Sequence, residues 1–108
     1  MLCLKPGVDV TGISTEVMIG LQVLSGVFWK HGIPTLITSC RDGEHMEGSK
    51  HYLGDAVDVR LPSRFSSTEH IDIALLNEGR VALGEQYDLV MEEDHLHLEF
   101  DPKKDAHT

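Results

Sequence analysis

Residues 95–100 read His-Leu-His-Leu-Glu-Phe. Successive side chains of a β-strand point to opposite faces. This run therefore sorts Leu96, Leu98 and Phe100 onto one side and His95, His97 and Glu99 onto the other. Residues 56–60, Ala-Val-Asp-Val-Arg, are sorted the same way, with Val57 and Val59 opposed to Asp58 and Arg60. Each strand has one apolar face for a core and one face of ionisable groups. That pattern demands a sheet covered on one side, and it places Asp58 and His97 together if the two strands are neighbours.

The cover comes from helical periodicity. Between residues 15 and 30, Val17, Leu21, Leu24 and Phe28 recur at spacings of three and four, the stripe of an amphipathic helix. Met18, Ile19 and Val27 widen it, so the helix is expected to be well buried. Ser14 or Thr11 is placed to cap its start, and Gly32 and Pro34 stop it. Gly20 and Gly26 weaken it and point to close packing against a sheet. A second helix is expected from Ser66 or Ser67 to Leu83, with Ile71, Leu75 and Leu76 on one side and Gly84 as its stop. Gly79 is expected to interrupt it. Residues 35–40 and 87–91 are strand-like, and 92–94 join the last two strands as a hairpin-like connection. Residues 1–13 form an irregular lead-in with room for a short strand or turn. Residues 41–50 form a polar loop and 101–108 a frayed tail. The expected fold is α+β: a small, mostly antiparallel sheet with helices packed on one face, in a single domain spanning 1–108.

Composition narrows the function. The 108 residues carry a net charge of −9, which repels a phosphate backbone and excludes nucleic acid as a partner. No apolar run approaches the roughly 18 residues of a membrane span, so no membrane is expected. The opening Met-Leu-Cys-Leu-Lys-Pro lacks the apolar core of a signal peptide, so the chain reads as made in the cytoplasm. Cys3 and Cys40 are too few for a disulfide scaffold and read as reduced thiols, a Cys3–Cys40 bridge being the alternative.

The ionisable faces carry the chemistry. His51 and Asp58 stand either side of Gly54, which lets the chain bend so that both reach one spot. With His97 they make three protein ligands for zinc, the number that a catalytic site uses while leaving a position for water. Such a site needs a carboxylate that is not a ligand to take a proton. Asp94, three residues before His97, is in place for it. A regular strand through Asp94 would aim it away from His97, so the strand is expected to begin after it. Arg41, a fixed positive charge in the polar loop, suits a developing oxyanion. His95 shares the face of His97, one pleat away, either as an alternative ligand or, the better reading, as a supporting or substrate-contacting group. Glu92 and Glu93 read as a solvated turn, and His31, His70 and His107 as incidental.

The segment Ser49-x-His51-x-x-Gly54-x-Ala56-x-Asp58, followed by Asp94-x-x-His97, resembles the signature of a family of zinc peptidases. That family includes D-Ala-D-Ala carboxypeptidases and dipeptidases and the L-alanyl-D-glutamate endopeptidases of phage endolysins. The resemblance implies that His51, Asp58 and His97 bind Zn2+, that Asp94 is the general base, and that Arg41 and Ser49 hold or polarise substrate. His95 is the further candidate for substrate contact. The stretch from Arg41 to Ser49 is short for the family, and Cys40 and Asp55 depart from its pattern. The expectation is a monomeric peptidoglycan hydrolase acting on the stem peptide, most like an L-Ala-D-Glu endopeptidase that reaches the cell wall after host-cell lysis. The alternatives are a D-Ala-D-Ala carboxypeptidase or dipeptidase and, in another class, a non-catalytic metal- or wall-binding domain.

Overall fold

In the computed structural model, residues 2–10, 12–40, 55–62 and 69–102 are described. They form β1 (Leu2–Leu4), α1 (Thr15–Lys30), β2 (Thr35–Ser39), β3 (Ala56–Arg60), α2 (Glu69–Leu83), β4 (Tyr87–Met91) and β5 (His95–Phe100). The strands make one sheet in the order β1-β2-β3-β5-β4. Only β1 and β2 run parallel; the other pairs are antiparallel. The lead-in thus contributes a real edge strand. The two alternating strands, β3 and β5, are central neighbours.

The core lies on one face of this sheet. Ile37, Val57, Val59, Leu89, Leu96 and Leu98 meet Val17, Leu21, Leu24 and Phe28 of α1 and Leu75 of α2, all of them buried. No helix among the described residues is long and apolar enough to cross a membrane.

Helix α1 begins where its cap predicts. Ser14 is extended at φ −70°, ψ 154°, and its Oγ accepts from the Val17 N–H at 3.1 Å. At the other end Gly32 takes φ +72°, and its N–H closes on the Trp29 carbonyl. The buried stripe is narrower than the sequence suggests. Val27 is buried, but Met18 and Ile19 are about half exposed. Met18 instead lines an apolar cleft with Leu2 and Leu4, which also remain exposed at the β1 edge.

Helix α2 runs through Gly79 without a break. Its proposed caps, Ser66 and Ser67, lie outside the described residues. Gly79 marks a close approach rather than an end. A Cβ there would stand 2.7 Å from Leu89 Cδ2 and 3.0 Å from Leu24 Cδ1, both in the core. Gly20 likewise meets the Tyr87 ring at 2.7 Å, whereas Gly26 has open space around it. Opposite mutational outcomes follow. Gly26→Ala is expected to stabilise the protein by about 0.5–1 kcal/mol, since alanine is the better helix former. Gly79→Val is expected to cost about 1–3 kcal/mol through overpacking. Urea unfolding of the two variants checks both signs.

Neither cysteine is in a disulfide. Cys3 sits in register with Leu36, four residues before Cys40, a strand distance of roughly 13 Å, so no bridge can form. At the far end, the Asp101 N–H donates to the Gln86 carbonyl at 2.7 Å, extending the β4–β5 pairing by one step. Residues 103–108 lie outside the described residues.

Candidate metal and catalytic site

The site lies on the face of β3 and β5 away from the core. The antiparallel register sets Asp58 opposite His97, Arg60 opposite His95 and Ala56 opposite Glu99. Because Val57, Val59, Leu96 and Leu98 fill the core, their alternating neighbours have no choice but the other face. The ionisable groups there are half-sheltered, with Asp58 side-chain exposure 15% and His97 20%.

Asp58 Oδ1 stands 3.0 Å from His97 Nδ1, and Glu99 Oε1 stands 3.1 Å from His97 Nε2. A carboxylate offers only acceptors, so the ring nitrogens donate. His97 is therefore clamped between two carboxylates along β5 and across to β3.

His95 has a similar cage. Its Nδ1 meets Asp94 Oδ1 at 2.8 Å, while its Nε2 lies 3.3 Å from Glu92 Oε1 and 3.7 Å from Asp58 Oδ1. Strand β5 begins at His95, which leaves Asp94 in the bend before it. That is the placement the side-chain phase required.

A β-bulge brings in a residue that alternation could not reveal. Ile37 pairs with Val59, yet Ser39 pairs with Asp58, so Thr38 is the extra residue. The bulge carries Cys40 into the core, where it is fully buried, and seats Ser39 beside Asp58. Thr38 Oγ1 donates to the Asp58 carbonyl at 3.4 Å and steadies that turn of strand.

Of the sequence-predicted site residues, the structure brings together Asp58, His97, Asp94 and His95. Arg41, Ser49 and His51 lie outside the described residues. Two groups were not singled out by sequence. Glu92 is more than a solvated turn residue. Its N–H closes the connection by donating to the His95 carbonyl at 2.8 Å, and that closure folds its carboxylate back over the His95 ring. Glu99 was visible on the ionisable face, but its role as the second partner of His97 was not.

These acidic and histidine groups are able to hold a metal ion. One donor atom from each of Asp58, Glu92 and His95 lies within 4.8 Å of the others. Two donors about 2.1 Å from a tetrahedral ion stand roughly 3.4 Å apart. The His95 separations of 3.3 and 3.7 Å match that spacing, and the Asp58–His97 separation of 3.0 Å is slightly tighter. The donor set, imidazole nitrogen with carboxylate oxygen, suits a divalent transition-metal cation.

Without metal the same carboxylates act on the imidazoles. The Asp58 hydrogen bond holds the His97 pKa up to about 9 against the pull of burial, and Glu99 adds to it. For His95, burial pulls the pKa down, but Asp94, Asp58 and Glu92 together outweigh it and the pKa is raised. A raised histidine pKa stabilises the fold below the unfolded value near 6.5, and the contribution is lost as pH climbs through the folded value. In chelator-treated protein, stability is therefore expected to fall between about pH 6.5 and 9. The loss should be about 1–2 kcal/mol after solvent screening, or roughly 5–10 °C in Tm. A flat melting temperature across that window would contradict the clamp on His97.

Compared with protein-family models, with curated proteins and with solved structures, the chain gives no match.

Proposed function

We propose that the chain is a zinc-dependent peptidoglycan peptidase that hydrolyses an amide bond of the stem peptide, most like an L-Ala-D-Glu endopeptidase. The observation that carries this reading is the cross-strand pair of Asp58 and His97, 3.0 Å apart on the open face, with Asp94 in the bend three residues before His97. The resemblance of the Ser49–Asp58 and Asp94–His97 segments to the zinc peptidases supplies the reaction class. Asp58 and His97, with His51 from outside the described residues, are the proposed zinc ligands. Zinc bound there would supply a Lewis acid and bring the pKa of a water toward about 7.

The chain's own groups do the rest. Asp94 accepts the proton of the attacking water and passes it to the departing amine. Arg41 stabilises charge on the carbonyl oxygen, and Ser49 holds the peptide. The acidic surface leaves an uncharged or cationic part of the wall polymer as the favoured contact. The protein works as a monomer on a wall it reaches after lysis.

Digestion of purified peptidoglycan, followed by mass spectrometry of the new termini, tests the reading. New L-Ala carboxyl and D-Glu amino termini are expected. Release of D-Ala alone would replace the endopeptidase with a D-Ala-D-Ala carboxypeptidase, and a D-Ala-D-Ala product with a dipeptidase. Zinc uptake with no cleavage of any wall would leave the non-catalytic binding domain.

A further inference from the structure

The turn between β4 and β5 is tied both to itself and to the sheet. The Glu92 N–H donates to the His95 carbonyl at 2.8 Å, and the Leu61 N–H, just after β3, donates to the Asp94 carbonyl at 3.0 Å. That closure brings Glu92 Oε1 to 3.3 Å from His95 Nε2, while Asp58 Oδ1 approaches the same nitrogen from β3 to 3.7 Å. Donor atoms from a turn and from two strands thus face one another, all within 4.8 Å. The other ring nitrogen, Nδ1, meets Asp94 Oδ1 at 2.8 Å.

We propose that Asp58, Glu92 and His95 form a second divalent-cation site, which shares Asp58 with the proposed zinc set of His51, Asp58 and His97. Spacing, direction and charge point to it. A charge-assisted hydrogen bond from imidazole to carboxylate runs about 2.7–2.9 Å. The His95 Nε2 separations of 3.3 and 3.7 Å exceed that range, yet they bracket the roughly 3.4 Å between two donors on one tetrahedral ion. A ligating imidazole also gives one nitrogen to the ion and donates from the other to a carboxylate or carbonyl, which fixes its tautomer and orientation. Asp94 holds that outer position on Nδ1, and Nε2 faces the other two carboxylates. The surroundings are acidic as well. Asp58, Glu92, Asp94 and Glu99 gather about the two imidazoles, and Arg60, opposite His95, adds one fixed positive charge. Crowded carboxylates repel one another, and a bound divalent cation offsets them. A carboxylate has two oxygens and about four lone-pair sites, so Asp58 can serve both ions. Two carboxylates with one imidazole suit a divalent transition metal, Mn2+ as well as Zn2+.

The second site stands whether or not the chain cuts peptide, and metal stoichiometry tests it without an activity assay. Zn2+ is titrated calorimetrically into chelator-stripped protein, with circular dichroism to check folding. Wild type is expected to take up two equivalents. Glu92→Ala, His95→Ala and His97→Ala should each take up one. Glu92 is 52% exposed, so its truncation leaves the fold undisturbed. Glu93→Ala, which removes the neighbouring carboxylate of the same turn, should keep both ions. Asp94→Ala, which removes the outer partner of His95, should weaken one ion by about 10- to 100-fold. A single wild-type equivalent that survives in Glu92→Ala and His95→Ala but is lost in His97→Ala would overturn the second site and leave the zinc set intact. A single equivalent that survives in His97→Ala but is lost in the other two would keep the new site and remove the peptidase zinc. Loss of an equivalent in Glu93→Ala would overturn the site, since uptake would then follow bulk negative charge. No uptake by the wild type would overturn both.

Discussion

Asp58→Ala is expected to reduce bound zinc to background and to abolish wall digestion. Asp58 is shared by the His97 pair and by the group with Glu92 and His95, whereas the further acidic group of Asp88, Glu99 and Asp101 offers no imidazole. Its Oδ1 lies 3.0 Å from His97 Nδ1 and 3.7 Å from His95 Nε2. Whichever histidine ligates, the ion loses a carboxylate when Asp58 goes. His97→Ala should remove a ligand as well, but His95 and Glu92 still offer donors beside Asp58, so a weakened ion can remain. The order of zinc affinity is therefore expected to be wild type, then His97→Ala, then Asp58→Ala. Loss of the ion removes several kcal/mol of transition-state stabilisation, on the order of 10³-fold in rate or more. Titration calorimetry of the chelator-stripped proteins measures the order, and circular dichroism checks that the variants stay folded. Asp58→Ala protein that still binds zinc with wild-type affinity would remove Asp58 from the metal site and the proposed chemistry with it.

The pair at the heart of that prediction could be read from sequence because of burial. Val57, Val59, Leu96 and Leu98 all require the core, and a period of two then sends Asp58 and His97 the other way. Helix α1 was legible for the same reason, since Val17, Leu21, Leu24 and Phe28 hold one stripe. The misread positions are those where a neighbour decides. Met18 and Ile19 are apolar but only about half covered, so hydrophobicity alone overstated their burial. Gly79 signals a helix stop in isolation. In the fold it is the one residue type that lets α2 approach Leu89 and Leu24.

The site was legible in part for a related reason. Strand phase pairs residues across a sheet, but it cannot anticipate a bulge. The shift between Ile37 and Ser39 reverses the facing of everything after it, which is why Ser39 joins Asp58 and Cys40 enters the core. Glu92 was hidden by composition, since Glu-Glu-Asp is what an ordinary solvated turn looks like. Only the closure of that turn onto the His95 carbonyl brings its carboxylate to the ring. The parallel pairing of β1 was equally beyond local pattern, because a three-residue strand carries almost no periodicity.

Asp94→Asn is expected to lower kcat by 10²- to 10⁴-fold while zinc content and KM stay near wild type. Asparagine keeps the size of the side chain but cannot take a proton at neutral pH, so the substitution isolates proton transfer from shape. The structure gives a reason for the bound metal to survive it. Asp94 Oδ1 is engaged with His95 Nδ1 at 2.8 Å, whereas the proposed ligands Asp58 and His97 face each other across β3 and β5 at 3.0 Å. An amide oxygen at the same place can still accept from His95 Nδ1, so the ring stays oriented and its Nε2 keeps its neighbours. The three possible results have distinct meanings. A large loss in kcat with zinc retained supports Asp94 as the base. A loss that tracks zinc content would make Asp94 part of the support for the metal rather than a proton carrier. Undiminished activity would move the base elsewhere, and Glu92 would be the next residue to test, because its carboxylate lies 3.3 Å from the same imidazole and is half open to solvent.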